Sequence, residues 1–497
     1  MRIIGNDLSV ARKATLVASG TISSGDPIVA NNDGTVSSAA PQSVSTSIGT
    51  TVEFYSGTGF RACSGYDSTN NKIIVAFKDS ANSNYGTARV GTIDPSDNSI
   101  SFGTASVFES AETITEPSGI AHDVTNNKIV IVYRDVGNSN YGTAVVGTVS
   151  GTTISFGTPV VFSSSNQTLE MRISYSTTAS KFLIAYRDNG DSNKGKAVVG
   201  TVSGTSISFG TVAQFEAGTT VSVGNVYVPT QDKFFISYRD QDDSNTSKAL
   251  MATISGTSVT FGTPANFETN VASFLNSVYD SKNDKVILVY RTGTYGGRAR
   301  VASVDGNTIT YGTVADWDDG GGTGSFIDRV VASFDANVGK VVFFYRNKTG
   351  SNPDVFARQY NFGEVSGTDI TFGTKATIGP DGRSDYFAPV YDANAKRTFV
   401  SYEDQSDSGK GKGNVITVGG TANLLTAENY IGTAKSGAAD GDGVVVNTQG
   451  TVDDNQTGLT AGQSYYVQTD GTLSTTADDP SVFAGTAVSS TKLIVKG

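Results

Sequence analysis

Through the middle of this chain, short runs of Val, Ile, Phe and Tyr alternate with stretches of Ser, Thr, Gly and Asn, and no segment there keeps the i, i+3, i+4, i+7 spacing of an amphipathic helix. Thr, Val and Gly are poor helix formers, so pattern and propensity agree on β-strands. The nearest approach to a helical pattern is residues 8–18, where a short helix is expected.

The strands recur with fixed signatures. An apolar strand ends in an aromatic residue and usually a cation at Phe77-Lys78, Tyr133-Arg134, Tyr186-Arg187, Tyr238-Arg239, Tyr290-Arg291 and Tyr345-Arg346, and at Tyr402-Glu403, with spacings of 56, 53, 52, 52, 55 and 57. A second signature, Ser/Thr-aromatic-Gly-Thr, begins at Ser101, Ser155, Ser208, Thr260, Thr310 and Thr371. Its seventh copy stands at the other end of the region, where Gly49-Thr50 is followed by Phe54 as Gly103-Thr104 is followed by Phe108. Each unit reads as four strands, the last two joined by Gly turns such as Ser150-Gly151 and Ser203-Gly204, which are strong hairpin signals. Seven four-stranded units of ~50 residues predict an all-β fold, a seven-bladed β-propeller. The last unit, near 386–419, lacks the second signature, and residues 45–55 supply it, closing the ring without leaving sheet edges.

Outside the ring, Gly25–Val36 and Gly441–Val452 share the pattern G-D-x-[IV]-V-x-N-x-x-G-T-V, so both ends are expected to carry the same hairpin. The predicted organisation is an N-terminal β arm (1–44), a propeller (45–419) and a C-terminal β module (420–497) that pairs with the arm.

Composition narrows the chemistry. The chain has 36 basic and 47 acidic residues, a net charge of −11, which disfavours a nucleic-acid partner. With one His (His122) and one Cys (Cys63), neither an intramolecular disulfide nor a paired-Cys zinc site can be written. Both lone residues fall in inner strands and are expected to pack. Asp7, Arg12 and Lys13 interrupt the N-terminal apolar stretch, and no run is long enough to insert in a membrane, so a soluble chain without an export signal is expected.

Loops such as Asp188-x-x-Asp191-Ser192-Asn193 carry enough oxygen to hold Ca²⁺, but their recurrence favours turns shaped by Asp, Asn and Ser, so no metal or cofactor is expected. Sialidase-like enzymes are propellers with arginines around a central site, and Arg134, Arg187, Arg239, Arg291 and Arg346 recur here. They follow the period, however, whereas a catalytic set should break it; a non-enzyme is expected. Departures from the repeat are more informative. In the fifth unit they gather Tyr295, Arg298, Trp317, Asp318 and Asp319, an aromatic and acidic patch suited to a sugar. Trp317 aligns with Phe108, Phe162, Phe215 and Phe267, a register that reads as packing, and Tyr295 is the less explained member.

The end motifs, with Gly458-Leu459, Tyr465-Tyr466-Val467, Asp470-Gly471 and Ala484-Gly485-Thr486-Ala487, resemble small β modules of tailed-bacteriophage structural proteins, closest in flavour to those of marine cyanophages. The resemblance covers about a quarter of the chain. It implies a virion protein assembled in the host cytoplasm, docked through its end module onto other virion proteins or further copies of itself. The propeller would project as a knob or fibre-like component and contact the host envelope, with a host glycan as ligand. A purely structural capsid decoration or tail component and a carbohydrate-active enzyme are the alternatives.

Overall fold

Each repeat folds as an antiparallel meander. In the third, Thr168–Ser176 lies innermost, followed by Lys181–Asp188, Lys194–Ser203 and an outer strand in two pieces, Ser206–Phe209 and Ala213–Glu216, both paired with the strand before them. The computed structural model describes residues 13–31, 34–165, 167–292, 296–318, 326–348, 356–379, 382–478 and 480–496. The chain divides into two units, Thr46–Val418 and Met1–Ser45 with Gly419–Gly497. No helix among the described residues is long and apolar enough to cross a membrane.

In the first unit, the innermost strands are Ala62–Asp67, the 119–123 end of Ser106–Asp123, Thr168–Ser176, Thr220–Val228, Ser273–Asp280, Phe326–Asp335 and Ser384–Asp392. Each stands against the next, and Ser384–Asp392 stands against Ala62–Asp67. The circuit is closed, and the fold is a β-propeller. The first two blades share Ser106–Asp123, whose beginning pairs with Tyr85–Asp94 and whose end pairs with Lys128–Asp135.

Both signatures are interblade devices. The repeat aromatics Phe77, Tyr133, Tyr186, Tyr238, Tyr290, Tyr345 and Tyr402 are fully buried. The outer strand of the preceding blade packs an aromatic on each of several of them: Phe108 on Tyr133 (ring centroids 5.1 Å), Phe162 on Tyr186 (5.5 Å), Phe215 on Tyr238 (5.2 Å) and Trp317 on Tyr345 (4.6 Å). The signature glycine meets the next blade's hairpin. A Cβ at Gly103, Gly157, Gly210 or Gly312 would lie 1.8–1.9 Å from the carbonyl oxygen of Thr152, Thr205, Thr257 or Thr368 respectively.

The seam is built from the same parts. Ser47–Ile48 and Val52–Tyr55 pair with Lys410–Thr417 as outer strand of the last blade. A Cβ on Gly49 would lie 1.9 Å from the Asn98 carbonyl oxygen, and Tyr55 packs on Phe77 at 4.9 Å. Asn98 ties the two blades together: its Nδ2 donates to Ser47 (2.8 Å), and its Oδ1 accepts from Thr417 (3.0 Å) and Arg397 (2.6 Å).

The second unit interleaves both chain ends. One sheet runs Lys13–Val17, Gly443–Asn447, Tyr430–Ala434, Pro27–Ala30, Val36–Ser38; another runs Val452–Asp453, Lys492–Val495, Val482–Ser489, Ser464–Val467, Leu473–Ser474. Two expectations are corrected here. Residues 8–12 lie outside the described residues, and the remainder of the expected helix, Lys13–Val17, is a strand, because a ladder on Gly443–Asn447 satisfies its backbone and its exposure alternates with period two. The two end motifs also differ. Pro27–Ala30 folds back on Val36–Ser38, whereas Gly443–Asn447 joins one sheet and Val452–Asp453 pairs with Lys492–Val495 in the other. Only the first copy is a hairpin.

Candidate functional site

Of the residues singled out in the fifth repeat, Trp317 and Arg298 have described side chains, and both are engaged in packing or ion pairs. Tyr295 and Asp319 lie outside the described residues, and Asp318 is placed only by its backbone pairing with Gly297. Trp317 is buried, stacked on Phe343 (5.6 Å, 10° between planes), and fills the space over Gly297, where a Cβ would meet the indole at 2.4 Å. Its faces are covered, as its alignment with the packing phenylalanines allows. Arg298 is held by Glu268 (3.0 Å) and Asp316 (2.7 Å), and Asp316 above all raises its pKa.

The oxygen-rich loops hold themselves. Asp135 accepts from the Asn138 N–H (3.0 Å), Asp240 from Asp242 (3.0 Å) and Asp404 from Ser406 (3.1 Å), while Lys196, Lys248 and Lys412 bridge to Asp188, Asp240 and Asp404. Burial opposes the charge of Asp404, but Ser406, Lys412 and Arg358 outweigh it and hold its pKa at about 2. His122 occupies a slot that is aromatic in the other blades: Tyr66, Tyr175, Tyr227, Tyr279, Phe334 and Tyr391. Its Nδ1 accepts from the Ser68 N–H (3.3 Å), its Nε2 faces Asp67 (3.2 Å), and burial lowers its pKa. It is a neutral structural imidazole.

The side chains that break the repeat lie elsewhere. Sixteen residues before the repeat aromatics stand Arg61, Pro117, Glu170, Ser222, Phe274, Arg329 and Tyr386. In the last five of these blades the inner strand bulges here, and the bulged residue takes a positive φ: Glu170 51°, Ser222 58°, Phe274 53°, Arg329 56° and Tyr386 56°. None is glycine, so each costs roughly 1–3 kcal/mol in backbone strain. All five line a cavity of 530 Å³ at the end of the central channel where the inner strands begin, with Cys63, Arg172 and Arg187 also in its wall. Two residues further on, the seven blades carry Cys63, Gly119, Arg172, Gly224, Asn276, Val331 and Ala388, so Arg172 is the one long cation of that layer. Burial pushes the neighbouring Cys63 thiol up to about 12 against the charge of Arg172.

Of the repeated cations Arg187 lines this cavity, and others stand next to its bulged residues. Register places Arg187 beside Leu169, Arg239 beside Val221, Arg291 beside Ser273 and Arg346 beside Asp328, each next to the bulge of its own blade. Part of the mouth is a continuous stack. Arg61 and Arg329 lie over the Tyr386 ring (4.9 and 4.8 Å), and Arg291 and Arg329 lie over Phe274 (5.0 and 5.5 Å). Carboxylates anchor it: Glu170 to Arg187 (3.3 Å), Asp328 to Arg291 (3.1 Å), and Asp385 to Arg346 and Arg329. Burial, and after it the charge of Arg61, lowers the pKa of Arg134, while burial lowers that of Arg239. The arginines therefore follow the fold's period, and Arg187 among them lines the cavity.

Sequence spacing contained a signal for this ring, a position at constant distance from the repeat aromatic whose residue varies between blades, with Arg alone occurring twice. The bulge that turns it toward the axis left no mark, because the positive-φ positions carry no glycine. Among the described residues no cluster of three or more His, Cys, Asp or Glu is arranged to hold a metal.

No protein-family model and no curated protein matches this chain. Solved structures do. A lectin from Burkholderia pseudomallei is similar over 75% of this chain and 99% of its own, with 9% identity and a TM-score of 0.51, a likeness in fold. The β-propeller domain of Myceliophteria thermophila Cps50 (Swd1) matches over 75% and 100% at 8% identity with a TM-score of 0.47, and a periplasmic gluconolactonase from Pseudomonas aeruginosa over 73% and 95% at 14% with 0.45.

Proposed function

We propose that this protein is a non-enzymatic surface component of a tailed-phage particle, whose propeller contacts glycans of the host envelope through the mouth of its central channel. The module formed by the chain ends serves for attachment to other virion proteins. One observation carries the binding half of this reading: around a 530 Å³ cavity, five blades keep a strained backbone position and vary its side chain. A purely structural propeller gains nothing from strained residues of different chemistry gathered at one opening, whereas a binding site uses both. The particle half rests on the likeness of the end motifs to phage modules. A lectin carries the same fold, which makes such a propeller a sound frame for sugar contact.

Tyr386→Gly separates binding from folding. Glycine adopts the φ of 56° without strain, so relief of roughly 1–2 kcal/mol offsets the lost ring contacts and the melting temperature holds. Attachment to host cells is expected to fall. Attachment unchanged by this folded variant would remove the mouth from consideration. Gold-labelled antibody against residues 420–497, imaged on whole particles, tests the setting. Label at a tail tip or on projecting fibres supports host contact, and label scattered over the capsid supports decoration without receptor binding. Particles free of label, with the protein soluble, would return the carbohydrate-active enzyme.

A further inference from the structure

We infer that the ligand of the channel mouth is an acidic saccharide, whose carboxylate enters the central cavity and is held by Arg172 and Arg187. The inference rests on the glycan reading above and adds the chemical class. The chain as a whole carries a net charge of −11, yet the charged residues in the cavity wall are Arg172, Arg187 and Arg329 against Glu170 alone. That carboxylate is engaged, accepting from the Val223 N–H at 3.2 Å and facing Arg187 at 3.3 Å. The residue that follows the repeat aromatic is a cation in six blades and an acid, Glu403, in one, and of these cations Arg187, Arg291 and Arg346 are paired with carboxylates. A concave, low-dielectric wall with an excess of cations, three against one carboxylate, favours entry of an anion.

Geometry selects among anions. A guanidinium laid flat on an aromatic ring is fixed in plane and presents its N–H edge, the arrangement that pairs two donors with the two oxygens of a carboxylate. Arg329 lies over both Phe274 (5.5 Å) and Tyr386 (4.8 Å), and its Nε faces Asp385 at 3.4 Å. Guanidinium groups occupy the faces of these two rings, so recognition falls to N–H donors rather than to stacking of a neutral sugar. The buried Nε of Arg187 has no hydrogen-bond partner among the described residues, although its Nη2 faces Glu170. At 530 Å³ the cavity is within the ~300–1,000 Å³ range of small-ligand clefts, large enough for the acidic end of an oligosaccharide and too confined for a folded partner.

The test is calorimetric titration of the full chain with trigalacturonate, its methyl ester, a panel of neutral oligosaccharides and inorganic phosphate. Trigalacturonate is expected to bind about tenfold or more tighter than its ester, in which the charge and the paired carboxylate oxygens are lost. Arg172→Gln and Arg187→Gln should each weaken it by a similar factor at an unchanged melting temperature. If either variant unfolds, the wild type still decides: raising salt from about 0.05 to about 0.5 M must weaken the acid and leave the ester untouched. Equal affinity for acid and ester, or binding confined to neutral sugars, would overturn the acid and leave the glycan reading standing. Phosphate competing as well as trigalacturonate would reduce the cavity to a general anion site and overturn the saccharide. No binding of any sugar would remove both readings.

Discussion

Asp335 shows how the repeat is held at a single side chain, and what that costs. It closes the turn between the first two strands of its blade, accepting from the Asn337 N–H at 3.0 Å, as Asp67, Asp123, Asp280 and Asp392 do in theirs. Its carboxyl is almost fully buried, and burial raises its pKa to about 7 against the turn N–H groups and the charge of Arg397. Tyr391 faces it from the neighbouring inner strand and is itself raised, first by burial and then by Asp335. The unfolded chain releases this proton near pH 4 and the folded chain near 7, so over that interval the folded state holds the extra proton. Stability falls as pH rises through the interval, and above it the deficit stays constant. Asp335→Asn keeps the acceptor and removes the charge. The variant should match the wild type near pH 4 and exceed it at pH 8 by up to about 4 kcal/mol, read from denaturant midpoints at the two pH values. Equal stabilities at pH 8 would show that the carboxyl ionises at no cost in the folded protein.

At the scale of the element, the Gly of the Ser/Thr-aromatic-Gly-Thr signature is required by approach and not by φ. It sits in the break between the two pieces of the outer strand, where the next blade's hairpin carbonyl comes closest. Gly157→Ala sets a Cβ 1.9 Å from the Thr205 carbonyl oxygen, a backbone atom that cannot rotate away. Overpacking of this kind costs ~1–3 kcal/mol or more. Gly373 occupies the same place in the signature, yet its nearest neighbour would be 3.8 Å away. The last blade takes its outer strand from the N-terminal side and so has no hairpin there. Gly373→Ala should therefore be neutral, or stabilising by up to about 1 kcal/mol, since it only restricts the unfolded chain. Matched thermal melts of the two variants check the contrast, and equal losses would defeat it. These elements were readable in sequence because an apolar strand ending in an aromatic residue, and in five blades a Gly turn after it, are local properties that recur with the repeat. The second end motif misled for the complementary reason. Its turn resembles the first, but its strands choose partners far away in the chain, Lys13–Val17 and Lys492–Val495, and nothing local states that choice.

For the molecule as a whole, closure was legible as a missing copy, while the binding site was not, since a ring of side chains exists only once the blades have closed and bulged. The seam is the one blade assembled from both ends of the ring, and it carries the same contacts as the others: Gly49 on Asn98, Tyr55 on Phe77, and a ladder between Val52–Tyr55 and Lys410–Thr417. Phe54 and Tyr55 are buried there, and loss of each large aromatic costs ~3–5 kcal/mol. Together these losses are comparable with the entire ~5–15 kcal/mol by which a folded domain is stable. Deleting residues 1–55 also bares the edge of Lys410–Thr417. The truncated chain should melt far below the full chain, and its amides at 410–417 should lose protection from hydrogen exchange. A synthetic peptide spanning residues 45–55 supplies the strand in trans, as an added strand does at any open sheet edge, so it should restore the protection of 410–417 and raise the propeller's melting temperature with the logarithm of its concentration. A truncated propeller that keeps its melting temperature would show the ring to be stable open. Rescue by a peptide in which Gly49 is replaced by Val would show that the fit of the outer strand against Asn98 is not what closes it.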